Sequence, residues 1–160
     1  MKKPFLVFLI ILSVFGYYAC TKSSPDVPVC TNKTVTQDSA ALFKFAGDSI
    51  PLTLDSSGMY YHIIDSGSSL HPVFSSNITV TYVGRLMDNT IFDSASNTSL
   101  EGHALYTLIP GWQLGLPKIG VGGHIQLFIP STYAWGCNGY APTIPADAPV
   151  FFDVRLLAVH

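Results

Sequence analysis

The side chains able to do chemistry are few in this chain, and most lack the spacing that metal or nucleophilic chemistry requires. Three cysteines, Cys20, Cys30 and Cys137, form no CxxC pair. Five histidines, His62, His71, His103, His124 and His160, share no ligand spacing. A zinc site is therefore not expected, and the histidines read as surface or structural residues. What remains is a scattered set of large apolar side chains with one acidic neighbour: Tyr82, Phe92 followed by Asp93, Trp112, Trp135, Tyr140 and Phe152, with Leu108, Ile109 and Ile144 between them. Taken singly, such aromatics are most often plain core, and a carboxylate after a phenylalanine is most often a turn residue. If they converge, they make a dry pocket with one fixed charge. Such a pocket acts by desolvation and electrostatics, with no covalent step and no cofactor.

The elements that must position these residues lie between Pro72 and His160. Ile78, Val80 and Tyr82 alternate with Thr79 and Thr81, so the segment reads as a half-buried strand with Tyr82 on its core side. Asp88-Asn89 supplies a turn before Ile91-Phe92. Residues 105–109 are a further short strand candidate. Pro110 at its start and Gly115 and Pro117 at its end confine a helix carrying Trp112 to about two turns. Ile125, Leu127 and Ile129 alternate with His124, Gln126 and Phe128, and Phe152, Val154 and Leu156 alternate with Asp153 and Arg155. Upstream, residues 59–64 (MYYHII) read as a strand between turn-forming clusters. Asp38-Ser39 read as caps opening a helix over residues 40–46 that closes at Gly47. The expected fold is α+β: five to six antiparallel strands in a curved sheet over one short helix, plus an extra short N-terminal helix.

The first residues carry a different pattern. Lys2 and Lys3 precede an apolar run in residues 5–15 broken only by Ser13, the basic and apolar regions of a secretory signal. The run is shorter than the roughly 20 residues that span a bilayer. It ends Tyr17-Tyr18-Ala19-Cys20, which resembles a bacterial lipoprotein cleavage site and implies acylation of Cys20. The alternative is ordinary signal cleavage with a free thiol, since the position three before the cysteine is not aliphatic. Residues 1–19 are thus expected to be a signal peptide, 20–35 a lipidated tether, 36–71 an extension with a short helix and strand, and 72–160 the main domain. The localisation that follows is the envelope of a Gram-negative bacterium, at the outer membrane, on either of its faces. In an oxidising compartment Cys30 and Cys137 have pairing as their simplest use, and two free thiols are the alternative. Removing Lys2 and Lys3 from 8 basic residues leaves 6 against 10 acidic ones. No Lys/Arg cluster exists, so nucleic acid is disfavoured as a partner.

Four segments in order resemble the FKBP family. They are Val80-Thr81-Tyr82-Val83-Gly84-Arg85-Leu86 with Thr90-Ile91-Phe92-Asp93-Ser94; Leu108-Ile109-Pro110-Gly111-Trp112 with Gly115-Leu116; Val121-Gly122-Gly123 leading to Ile129-Pro130-Ser131; and Tyr133-Ala134-Trp135-Gly136 through Ile144-Pro145 to Phe152-Asp153-Val154. The resemblance implies a peptidyl-prolyl cis/trans isomerase with proline-containing polypeptides as substrates, macrolides as possible inhibitors, no cofactor and a monomeric state. It implies that Trp112 is the pocket floor and that Phe92 and Phe152 are its walls. Asp93 would accept a hydrogen bond from Tyr82 and act through its field rather than as a general base. The Ile109 N–H would hold a substrate carbonyl, with Leu108, Trp135, Tyr140 and Ile144 binding substrate around it. Such a pocket suits the chemistry, because X–Pro rotation faces a barrier of about 18–20 kcal/mol from partial double-bond character. A twisted imide is less polar than a planar one, so a dry aromatic site favours it over the ground state.

The sequence departs from the family pattern at the rim. Trp135 stands where a tyrosine hydroxyl is usual, Tyr140 near a common histidine position, and Thr98 where some members have an arginine that pairs with the aspartate. Residues 96–106 lack the usual Pro-Phe-x-Phe run. A proline-segment-binding chaperone or docking module with little catalysis is the alternative function.

Overall fold

The structure is a computed structural model, and it describes residues 29–99 and 104–160, with side chains described outside 97–103. The signal peptide expected over residues 1–19, Cys20 and most of the expected tether lie outside the described residues. No helix among the described residues is long and apolar enough to cross a membrane.

Six strands form one antiparallel sheet: β1 (Thr53–Leu54), β2 (Tyr60–Asp65), β3 (Ile78–Leu86), β4 (Ile91–Ser99), β5 (His124–Ile129) and β6 (Val150–Val159), in the order β1-β2-β5-β6-β3-β4. The alternation read from the sequence decides which side chains face in. Across the centre, Val80, Tyr82 and Gly84 stand opposite Leu156, Val154 and Phe152, and Ile125, Leu127 and Ile129 stand opposite Val154, Phe152 and Val150. This face is the core, with Met59, Leu105, Trp112, Leu116 and Ile119 buried against it. β2 belongs to the same sheet through its pairing with β5, so the sheet draws on residues before Pro72.

Helix α2 (Pro110–Gly115) lies across that face. Proline at its first position supplies a preset φ and lacks only a hydrogen that would have no partner. Gly111 and Gly115 fall one helical turn apart and meet β5. A Cβ on Gly111 would lie 2.5 Å from Ile129 Cγ2, and one on Gly115 would collide with Leu127. Two missing side chains thus let the helix seat Trp112 directly on the sheet. The segment expected as a strand at residues 105–109 is instead a 3₁₀ turn, Leu105–Thr107. Its amides bond outward, Leu105 N–H to the Ser76 carbonyl and Tyr106 N–H to that of Phe74, while Thr107 N–H closes the turn on Ala104. Pro110 also denies a following strand its ladder donor.

Helix α1 (Val35–Ala46) begins earlier than the Asp38-Ser39 caps implied. Thr34 is the N-cap, and its N–H donates to Gln37 Oε1 at 2.6 Å, a Thr-x-x-Gln capping box. Asp38 is inside the helix and buried. Its Oδ2 accepts from the backbone N–H and the hydroxyl of Ser131, at 2.8 and 2.6 Å. The apolar side of α1, Leu42 and Ala46, packs on Phe128 and Phe151, which point to the sheet's outer face. Burying Leu42 fully is worth about 1.5–3 kcal/mol. α1 therefore converts the outer face at Phe128 into a second small core. His124 lies on that outer face as expected but is buried, 6% exposed, because Nε2 turns onto Asp153 Oδ1 at 2.6 Å.

Candidate active site

Each aromatic side chain of the sequence-derived set is delivered by a different element. Tyr82 comes from β3, Phe92 and Asp93 from β4, Trp112 from α2, Phe152 from β6, and Trp135 from the turn after Ser131–Tyr133. Adjacent residues on a strand normally face opposite sides, yet Phe92 and Asp93 both border the site. A β-bulge accounts for this. Gly84 pairs with Asp93 and Arg85 with Ile91, so Phe92 is an extra residue on β4 and the strand is re-aimed there.

The rings meet edge to face. Trp112 lies 5.2 Å from Phe152 and 5.2 Å from Tyr82, with interplanar angles of 85° in both cases. Phe92 lies 5.4 Å from Phe152 at 90° and 5.7 Å from Trp135 at 86°. These are favoured aromatic geometries, each worth about 0.5–1.5 kcal/mol beyond burial, and together they hold the ring positions. Gly84 makes the arrangement possible. A Cβ there would sit 2.7 Å from Phe92 Cζ and 2.8 Å from Phe152 Cε1. Sequence reasoning had not singled out Gly84, although a glycine inside a strand is itself a signal of close approach.

Two adjoining hollows result. One, of about 150 Å³, is lined by Tyr82, Asp93, Leu108, Ile109, Trp112, Trp135 and Phe152. The other, of about 340 Å³, is lined by Phe92, Asp93, Trp135, Tyr140, Thr143 and Ile144. All ten residues expected at the site thus border one or the other, and Thr143 is an addition that the sequence reading missed. Trp112 and Phe152 are buried and Tyr140 is exposed, so the site grades from a dry floor to an open rim. Residues 140–144 close the rim as a tight turn, Tyr140 N–H to the Ile144 carbonyl and Ile144 N–H to the Tyr140 carbonyl, each 2.8 Å.

The polar groups are sparse and aimed. Tyr82 Oη donates to Asp93 Oδ2 at 2.7 Å. Burial and, after it, the hydrogen bond to Asp93 push the Tyr82 phenol up, so it remains a proton donor at any ordinary pH. Ile109 caps α2 and receives the N–H groups of Trp112 and Gln113 on its carbonyl, while its own N–H has no acceptor among the described residues. A free donor thus stands at the edge of the smaller hollow. The Trp112 indole N–H is buried without a partner among the described residues.

The rim is tied to the N-terminal segment. Cys30 and Cys137 form a disulfide with a Cα–Cα separation of 5.6 Å. Beside it, Asn32 Oδ1 accepts the Cys137 N–H at 2.9 Å and Lys33 Nζ donates to the Asp147 carbonyl at 3.1 Å. The segment expected as a tether is therefore docked on the domain from Cys30 onward.

A family profile described as FKBP-type peptidyl-prolyl cis-trans isomerase matches residues 70–157, more than half of the chain. The chain belongs to that family. Among FKBP-type relatives, it is 38% identical over 105 residues to the FKBP-type peptidyl-prolyl cis-trans isomerase FkpA of Aeromonas hydrophila, covering 65% of this chain and 39% of that protein. It is 32% identical over 104 residues to the outer membrane protein MIP of Legionella longbeachae, covering 64% and 45%. The crystal structure of FkpA from Escherichia coli superposes with a TM-score of 0.68 at 34% identity, over 78% of this chain and 58% of that one. A peptidyl-prolyl cis-trans isomerase from Pseudomonas syringae gives a TM-score of 0.68 at 25% identity, over 81% and 98%. The chain spans about two fifths of the length of the FkpA relatives it matches. The FKBP-like fold expected from the sequence, with its N-terminal helix, is the fold observed.

Proposed function

We propose that this chain is a peptidyl-prolyl cis/trans isomerase acting on proline-containing polypeptides as they fold in a bacterial envelope. The observation that carries the proposal is the edge-to-face ring cluster of Tyr82, Trp112, Phe152 and Phe92 beside the Tyr82–Asp93 hydrogen bond. In this reading the proline ring enters the smaller hollow over Trp112. The Ile109 N–H holds a substrate carbonyl, with Leu108, Trp135, Tyr140 and Ile144 gripping the flanking chain. Desolvation against the rings raises the planar imide relative to the twisted one, and the Asp93 field acts on the turning amide. Every 1.36 kcal/mol of that preference is worth a factor of ten in rate. No cofactor enters the mechanism, and FKBP-directed macrolides would compete for the same hollow.

The envelope setting is supported by the signal-like N-terminus and by the disulfide, which persists in oxidising compartments. We assign Cys20 as the lipidated residue anchoring a monomer to the outer membrane. One acyl chain alone gives marginal anchoring, and the two or three of a lipoprotein hold firmly. Trp135 in place of a tyrosine hydroxyl favours a second reading, a module that binds proline segments with little catalysis. The oxidised chain from Cys30 to His160, added in catalytic amounts, should accelerate refolding of a proline-limited protein and lose most of that effect on Phe152→Ala. Peptide binding without acceleration selects the second reading, and neither binding nor acceleration rejects both.

A further inference from the structure

We infer that the pocket prefers substrates with a lysine or arginine next to the proline, the cation being held at Asp93 among the Phe92, Trp135 and Tyr140 rings. The inference rests on the isomerase reading above and names the substrate class of that same site.

The larger hollow adjoins the smaller one through two shared residues, Asp93 and Trp135, so a residue flanking a bound proline is its natural occupant. Of its six lining side chains, three are aromatic and one, Asp93, carries a formal charge. That charge has no cation of its own among the described residues. Asp93 Oδ2 takes the Tyr82 hydroxyl, a neutral donor. The ion pairs among the described residues are Lys33–Asp38, Lys118–Asp55 and His124–Asp153. Arg85 donates to the Asn89 carbonyl instead. The other two lysines and arginines among the described residues lie on the far side of the sheet, Lys44 on α1 and Arg155 on β6, on the outward face it shares with Phe151 and Asp153. A carboxylate at the mouth of an aromatic-lined hollow therefore offers a field that a cationic ligand would complete.

The rings decide what kind of ligand that is. A bound metal would need several ligating side chains, and the hollow supplies one carboxylate. A lysine or arginine instead matches both parts: its methylene stem lies along apolar surface, and its head is attracted by a ring face and a carboxylate together. Tyr140, 63% exposed, leaves its ring available to the ligand. The formal charge of −2 on the whole chain adds weak long-range attraction for cationic segments.

The test uses the full chain and peptides identical except for the residue adjoining proline, which is lysine, Nε-acetyl-lysine or glutamate, placed before the proline in one series and after it in another. Acetyl-lysine keeps the stem and removes the charge. Isomerisation is read by NMR exchange and affinity by tryptophan fluorescence, at low salt and in about 0.5 M sodium chloride, where the screening length is a few ångströms. In at least one series lysine should exceed acetyl-lysine by about three- to tenfold, as expected for a partly exposed ion pair with a cation–π contact. Glutamate should rank last, and the advantage should collapse in salt. Asp93→Asn should remove most of lysine's binding advantage over acetyl-lysine, leaving only the smaller part that the rings supply. Equal use of lysine and acetyl-lysine in both series, or an advantage indifferent to salt, overturns the inference. If no peptide is accelerated, the isomerase reading fails, and the affinity ranking still decides the charge preference.

Discussion

Replacing Gly84 by alanine tests whether the ring positions themselves carry the activity. Gly84 lies on β3 directly opposite Phe152 and Asp93, and its added methyl would stand 2.7 Å from Phe92 Cζ, 2.9 Å from Phe92 Cε2 and 2.8 Å from Phe152 Cε1. Ordinary contact begins near 3.4 Å, so the rings must recede by about 0.7 Å. Phe152 is buried against Trp112 and Tyr82, so its retreat disturbs both. Overpacking of this kind costs about 1–3 kcal/mol, a lowering of the melting temperature by roughly 3–10 °C, which leaves the chain folded at room temperature. A displacement near 1 Å in a positioned site costs up to about a hundredfold in rate. We expect Gly84→Ala to lower kcat/KM for a proline peptide ten- to a hundredfold, with unchanged far-ultraviolet circular dichroism and altered tryptophan fluorescence. A variant with altered ring packing but wild-type kcat/KM would refute the reasoning, because the ring cluster would then not be the catalytic surface.

Three further outcomes follow from the geometry. Tyr82→Phe removes the donor to Asp93 and should reduce isomerisation several-fold with stability changed by less than about 1 kcal/mol; in an ultraviolet pH titration it should delete only the last tyrosine to ionise, since burial raises Tyr82. Asp55, held to about 2 by the Lys118 ammonium and by the Ser57 N–H and hydroxyl, contributes stability that is complete above its usual value of 3.8 and lost as pH falls toward 2. Asp55→Asn should therefore flatten the denaturation midpoint across that window, and an unchanged slope would contradict the assignment. Reducing the Cys30–Cys137 bond, which spans 107 residues of sequence, should cost up to about 4–5 kcal/mol in denaturant titrations and speed amide exchange over residues 135–147.

The strands of the central sheet were legible because period-two alternation survives where one face is buried, as Ile78, Val80 and Tyr82 illustrate. The convergence of distant aromatics was not legible from periodicity, since Trp112 and Phe152 look like any core residues until four ordered segments place them. The misreadings share a cause. Asp38 looks like a cap, yet a partner 93 residues away, Ser131, buries it. The segment after Ala104 has the composition of a strand, but its amides are spent on Ser76, Phe74 and its own 3₁₀ turn. Each depends on contacts that no local window contains.

The central claim is that the aromatic hollow turns X–Pro bonds and does not merely bind them. NMR exchange on a short proline peptide with a catalytic amount of the protein separates the two. The account predicts cis/trans exchange well above the uncatalysed rate of once in tens to hundreds of seconds, an unchanged cis/trans equilibrium, and loss of the effect in Phe152→Ala. Peptide resonances that shift on binding while exchange stays at the uncatalysed rate would contradict it.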